Sequence, residues 1–168
     1  MRIIKYTHSL KDDWDDFVKD SKNSHFFFYR DYMEYNSDRF LDFSLIILDQ
    51  KEKIVALLPA NIKDNVLYSH QGLTFGGFLI NDKMKTETML EVFKTLKEYS
   101  KKENIQKIIY KCMPYIYHIL PSEEDSYSLF RNDAKLFRRD VTTTIYLSEK
   151  IKYQEQRKRA VKKAVKNN

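Results

Sequence analysis

Ser69-His70-Gln71-Gly72-Leu73-Thr74-Phe75-Gly76-Gly77-Phe78 holds all three glycines of a 168-residue chain. Glycine permits positive φ and lets another backbone or a ligand approach where a Cβ would clash. Backbone freedom is therefore concentrated in one place. Two uses fit the stretch. It can be a bulge or tight bend where a strand leaves a sheet. It can also line a bound group, to which His70, Gln71 and Thr74 would offer side-chain donors beside bare amides. The two uses are compatible, and both stay open.

Upstream of the glycines, the runs Phe43 to Leu48, Ile54 to Ile62 and Val66 to Leu73 read as strands joined by the polar turns 49–53 and 63–65. Connections this short make an antiparallel meander, and Pro59 inside the middle run predicts a bulge or an edge, because it cannot donate a ladder hydrogen bond. Downstream, Met89, Phe93, Leu96 and Ser100 share a helical face with Thr86 as its expected cap, and a buried strand follows from Ile105 to Lys111. Strand, crossover helix and strand imply a parallel pair.

Nearer the N-terminus, Arg2 to Tyr6 reads as a strand. An amphipathic helix capped by Ser9 follows, carrying Leu10, Trp14, Phe17 and Val18, and then an aromatic helix from Ser24 to Tyr35. After Lys111, the segment Pro114 to Pro121 predicts a helical turn. Ser122-Glu123-Glu124-Asp125 predicts a capped helix start with acids in its first turn. Leu136 to Leu147 reads as a last strand, in which Val141, Thr143 and Ile145 alternate with Thr142, Thr144 and Tyr146. Beyond Ser148 lies a basic helix with only a thin apolar face. The expected class is α/β in the α+β sense, with a mixed, mostly antiparallel sheet.

Eleven Phe, twelve Tyr and one Trp supply ample core material, and three Gly with three Pro leave no low-complexity linker. One cysteine, Cys112, excludes an internal disulfide and fits a reducing compartment; after an Ile-Ile-Tyr-Lys run it reads as buried filler. No signal peptide and no apolar window of about 18 residues is present, so the expected location is the cytoplasm. The net charge of +6 is unevenly spread: from Lys150 onward eight Lys or Arg face one Glu, which leaves the first 149 residues at −1. Such a run is a solvated helix face, an inter-lobe contact or a meeting place for phosphates.

The motifs GxxxxGK[ST], GxGxxG, HExxH and GxSxG are absent, so phosphoryl transfer, dinucleotide redox, zincin and serine-hydrolase chemistries lack their residues. The four histidines are not at metal-ligand spacings, and no metal is expected. What remains is His70, Tyr110, Tyr117 and His118, at or just past the two strands predicted to be parallel, where an open sheet presents ligands. A histidine there could take a proton from an attacking amine, and a tyrosine could orient a carbonyl; the alternative is that the tyrosines are core residues with satisfied hydroxyls. Arg30 and Arg39 are either anion binders or partners of nearby acids such as Asp31, Glu34 and Asp42.

The order of elements resembles the GNAT acyltransferase fold: three layers, with helices on both faces of the central sheet. The wording resembles the first lobe of the FemAB-like two-lobed acyltransferases, especially the branch associated with bacterial surface polysaccharide. The resemblance is carried by Phe26-Phe27-Phe28-Tyr29-Arg30-Asp31-Tyr32-Met33, Asp38-Arg39-Phe40, Ala56-Leu57-Leu58-Pro59-Ala60-Asn61, the glycine stretch, and Tyr110-Lys111-Cys112-Met113-Pro114-Tyr115-Ile116-Tyr117-His118. It implies a lobe over residues 1–147 and a basic helical tail over 148–168, the latter leading into a second lobe.

The resemblance also implies N-acyl transfer from acyl-CoA, with acetyl-CoA the expected donor, to the amine of a sugar or peptidoglycan precursor. The catalytic candidates are His70, the preferred base, with Tyr117 and His118. The substrate-binding candidates are Arg30, Arg39, Gly72, Gly76, Gly77, Tyr110, Arg138 and Arg139. A second GNAT lobe or a homodimer would complete the site, since no Gln/Arg-x-x-Gly-x-Gly/Ala pyrophosphate loop precedes the helix near Thr86. The alternative from another class is a non-catalytic module that meets nucleic acid or a protein partner through its basic tail.

Overall fold

The computed structural model describes every residue except Asn36, Thr142, Lys150, Ile151 and Asn168, and the side chain of Leu147. It divides into two units, Met1–Ala134 and Lys135–Asn168. In the first unit the elements run β1 (Arg2–Lys5), α1 (Lys11–Asp20), α2 (Arg30–Glu34), β2 (Leu45–Leu48), β3 (Ile54–Leu58), β4 (Asn61–Lys63), β5 (Val66–Tyr68), α3 (Thr86–Lys102), β6 (Lys107–Ile109) and α4 (Glu124–Arg131). The second unit holds α5 (Glu155–Lys166).

The strands form two sheets. β1-β2-β3 is antiparallel throughout, and β4-β5-β6 is mixed, with β5 and β6 parallel in the register Val66↔Lys107 to Tyr68↔Ile109. The long middle run expected from Ile54 to Ile62 is therefore cut at Pro59-Ala60, and its two halves serve different sheets. Proline has no N–H for the ladder, so the chain changes partners there. The sheets stay linked through an antiparallel bridge between Leu57 and Leu79 and another between Asp42 and Asn61. The fold is α+β, and the expected parallel pair is present.

Alternation in β2 explains why helices cover both faces. Leu45 and Ile47 pack with Ala56 and Leu58 against Met89, Val92, Phe93 and Leu96 of α3. Ile46 and Leu48 pack with Leu57 against Trp14 and Val18 of α1, and against Phe28 and Met33. The register slips between Ile47 and Leu48, where Ile47 faces Ala56 and Leu48 faces Ile54. Val55 is thus a bulge residue, and Val55 and Ala56 both turn toward the α3 side.

Three local expectations are corrected. The aromatic helix from Ser24 to Tyr35 is a 3-10 turn, Phe26–Phe28, followed by the short α2, because extended backbone at Tyr29 breaks the spiral. Ser9, Thr86 and Ser122 cap nothing: the residues before α3 and α4 are Lys85 and Glu123, and Ser9 bonds the Thr7 hydroxyl at 2.9 Å. The strand expected from Leu136 to Leu147 is not formed by its described residues, which lie exposed, Val141 at 98%. Alternating β-branched residues make a strand only where a neighbouring backbone supplies the ladder.

Because Ile47 is fully buried at the centre of the α3-side core, Ile47→Ala is expected to lower unfolding free energy by about 2–5 kcal/mol in urea titrations. Val161→Ala on exposed α5 should stay within about 0.5 kcal/mol.

Candidate functional site

The glycine segment is fixed by the residues that follow β6. Lys111 donates its Nζ to the carbonyls of His70 at 2.9 Å, Gln71 at 3.4 Å and Leu73 at 2.6 Å. Its own main chain is tied in as well. The Lys111 N–H donates to Ser69 Oγ at 2.7 Å, and its carbonyl accepts from the Gly76 N–H at 3.3 Å. One residue therefore closes the loop 69–76 from both ends. Asn61 adds a further hold, accepting from the Gln71 N–H at 2.7 Å and donating to Gln71 Oε1 at 2.8 Å.

Two of the glycines are required by this closure. A Cβ on Gly76 would lie 1.8 Å from the Ser69 carbonyl oxygen. Gly77 sits at φ +90° with the space for its Cβ blocked by the Tyr110 hydroxyl at 2.8 Å. Gly72 is exposed and faces Phe40 and His70. The bend reading of the segment therefore holds.

Tyr110 is the second anchor. Its hydroxyl accepts from the Phe78 N–H at 2.7 Å and donates to Asp125 Oδ2 at 2.7 Å, reaching across to the first turn of α4. Burial, reinforced by the Asp125 charge, holds the phenol well above its ordinary pKa. Burial likewise raises Asp125, opposed by its bonds from Tyr110 and from Ser126 and by the charge of His118. Lys22 and Asn23 brace the same region. Asn23 bonds Phe78 O at 2.8 Å and the Ile80 N–H at 3.0 Å, and the Lys22 carbonyl accepts from Ile119 and Leu120.

The two candidate histidines stand in different surroundings. His70 is 4% exposed and edge-on to Phe40 at 5.5 Å, and among the described residues its Nδ1 has no hydrogen-bond partner. Burial lowers its pKa to about 4, partly offset by Asp42 and deepened by Lys111 and Arg30. His118 is half-buried, also with an unpartnered Nδ1, and lines a cleft of about 280 Å³ together with Tyr115 and the residues leading into α4. Of the expected pocket residues, His118 lines this cleft. His70, Gly72, Tyr110 and Tyr117 are not among its walls. Tyr117 instead stacks on Phe75 at 5.0 Å, inside an aromatic group that includes His25 and Phe27. A second concavity of about 330 Å³, near Arg2, Leu10 and Glu52, contains none of the candidates.

The arginines separate as well. Arg30 is 2% exposed, bonded to Glu34, Asp42 and Ser44, with its guanidinium 3.6 Å from the Tyr6 ring centroid. Its place is therefore a core ion pair, and an incoming anion would have to displace those acids. Arg39 is exposed in a turn. Arg138 pairs with Asp140, and it and Arg139 lie exposed in the second unit. Cys112 is exposed, a correction to its reading as core filler. Sequence reasoning missed Lys111 and Asn23 as organising residues, reading Lys111 only as the end of a strand, and gave Asp125 only a place in the first turn of a helix.

The segment Asn81-Asp82-Lys83-Met84-Lys85 ahead of α3 has no glycine, and the helix carries Glu87 in its first turn without a capping side chain. These residues do not fit a pyrophosphate cradle, which needs close backbone amides and no competing negative charge. Among the described residues, no group of three or more His, Cys, Asp or Glu is placed to hold a metal ion, and no helix is long and apolar enough to cross a membrane.

No protein-family model matches the chain, and no curated protein does. Among solved structures, the chain is similar to the aminoglycoside 6'-N-acetyltransferase AAC(6')-Ig from Acinetobacter haemolyticus, at 13% identity, covering 90% of this chain and 100% of that one, TM-score 0.46. It is similar to AAC(6')-Ih from Acinetobacter baumannii at 12% identity, 90% and 99% coverage and TM-score 0.44. A mutant of the BH1408 protein from Bacillus halodurans overlaps at 10% identity, 88% and 100% coverage and TM-score 0.46.

His70 generates a pH prediction. Its folded pKa, about 4, lies below the unfolded value near 6.5, so its contribution is complete above about pH 6.5 and is lost as pH falls toward 4. A shift of that size corresponds to up to about 3 kcal/mol. Urea denaturation from pH 7 to 4 should show a shallower loss for His70→Gln than for the unaltered chain; equal slopes would refute the assignment.

Proposed function

We propose that this chain is the acceptor-side lobe of a GNAT-type N-acyltransferase, acting in the cytoplasm on the amine of a sugar or cell-envelope precursor with acyl-CoA as donor. The observation that carries the reading is His118, a half-buried histidine with an unpartnered ring nitrogen on the wall of a cleft just past the parallel β5–β6 pair. That is where an open sheet presents its ligands. The residue order of the segment supports the reading through its likeness to FemAB-like lobes.

In this reading the acceptor amine arrives protonated and must lose a proton before transfer. His118 accepts it in this proposal, since it is the histidine on the cleft wall. Tyr110 and Lys111 hold the wall in place, and Tyr117 packs behind it. Arg39, Gly72, Gly76 and Gly77 line no wall of this cleft; in this proposal Gly76 and Gly77 shape the bend behind it, and Arg30 is a core ion pair. Because the residues before α3 do not fit the donor's phosphates, a second lobe or a second copy holds them. Arg138 and Arg139 belong to that completed assembly.

Acyl transfer from acetyl-CoA to a panel of amino sugars and peptidoglycan fragments tests this. His118→Ala should lower kcat by about 10²-fold, and absence of transfer to every amine, with any second lobe supplied, removes the proposal.

One observation favours a second reading. Arg159, Lys162, Lys163 and Lys166 recur at i, i+3, i+4 and i+7 along α5, and among the described residues none has an acidic partner. A non-catalytic module of this kind would bind duplex or single-stranded nucleic acid with an affinity that drops steeply between 50 and 200 mM salt. Gel-shift titrations at both salts that show no binding, or binding insensitive to salt, would discard this reading.

A further inference from the structure

We propose that the open edge of β6 is a strand-docking surface, and that its occupant is residues 141–145 of a second copy of this chain, exchanged reciprocally. The pairing is backbone chemistry and goes beyond the acyltransferase reading, on which it does not rest.

The mixed sheet ends at β6. In the order β4-β5-β6, its one strand neighbour among the described residues is β5. Main-chain partners reach Lys107, Ile108 and Ile109 from β5 and from Ser69 just after it, and none among the described residues comes from the other side. An edge of this kind presents N–H and C=O groups without a protein partner, and folded chains guard it with charges, proline or a bulge. β1, the outer edge of the antiparallel sheet, is guarded in that way: Arg2 pairs with Glu52, and Lys5 with Glu103 at 2.7 Å. β6 is not. Past Lys107 the chain reads Ile108-Ile109-Tyr110, half-buried side chains of which Ile108 and Tyr110 pack against the α3-side core.

The occupant follows from the segment that has strand chemistry and no strand. Val141-Thr142-Thr143-Thr144-Ile145 is a run of β-branched residues, the kind of side chain that packs well on a pleated surface. In an extended chain Val141, Thr143 and Ile145 fall on one face. Yet Val141 is 98% exposed and Ile145 61%, and the described residues of the run enter no main-chain hydrogen bond with other described residues.

Each chain thus carries an edge without a strand and a strand without an edge. The chain's own segment does not take the β6 edge, so the same segment of another copy is the match. Two copies related by a twofold axis satisfy both edges and both segments, and the exchange closes at a dimer instead of running on as a fibre. The link from the end of α4 to the second unit is residues 132–134, and short hinges favour exchange between copies.

Sedimentation velocity and amide hydrogen exchange on the whole chain, from low to high micromolar concentration, test this. A monomer-dimer equilibrium is expected, with the outward amides of β6 and those of 141–145 gaining protection together as the dimer fills. The double variant Thr143→Pro/Thr144→Pro should raise the dimer dissociation constant at least about tenfold. Neighbouring N–H groups on a strand point to opposite sides, so one of the two prolines removes a bond to β6 in either register. Both residues are exposed, so the monomer's urea stability should be unchanged and serves as the folding control. The inference is overturned if the chain is monomeric at every concentration, whether 141–145 is unprotected or is protected within its own chain. It is overturned equally if a dimer forms while those amides exchange as fast as in the monomer, or if the double proline leaves the dimer intact. No reaction is measured, so none of these results bears on whether the chain transfers acyl groups.

Discussion

The ammonium of Lys111, clasped by the carbonyls of His70, Gln71 and Leu73, is the contact on which the arrangement around the cleft depends. Without it the carbonyls of Gln71 and Leu73 would have no donor among the described residues, while that of His70 would keep the Leu73 N–H at 3.2 Å. A charged donor with three N–H groups serves all of them at once. The same residue receives the Gly76 N–H and reaches Ser69 through its backbone. The end of β6 and the two ends of the glycine loop are thus one piece.

From that piece the organisation spreads in two directions. Tyr110, one residue earlier, passes the constraint through Phe78 on one side and Asp125 on the other, so the glycine loop and the start of α4 share a hydrogen-bonded path. Beyond the loop, Leu79 pairs with Leu57 of β3, and this stitches the mixed sheet to the antiparallel one. The space at the cleft is what remains between elements held apart by these bonds. Part of its wall is polar because His118, Ser122 and Glu123 lie on it.

Environment rather than residue type separates the two histidines. His70 lies among Phe40 and buried backbone, where water is excluded and a charged ring is penalised. His118 lies on an open wall with a carboxylate in its neighbourhood. Arg30 shows the same logic: a guanidinium that looks available in a string of letters is enclosed by Glu34, Asp42 and the rings of Tyr6 and Trp14. Burying such a group is tolerable only because each of these partners is present.

Much of the fold was legible in the sequence, since periodicity marks which face of a helix or strand must leave water. Helix α3, the antiparallel pairing of β2 with β3 and the parallel β5–β6 pair all follow from that and from the lengths of the connections. The glycine stretch offered a bend or a ligand lining, and its packing against Ser69 and Tyr110 shows the bend. What the sequence could not settle was decided by partners distant along the chain. Leu136 to Leu147 has strand chemistry, yet none of its described residues joins a strand ladder, because a strand is a relation between two segments and not a property of one. The role of Lys111 and the enclosure of Arg30 likewise arose only when folding set donors beside acceptors, 41 residues away for the Lys111–His70 bond and 12 for the Arg30–Asp42 pair.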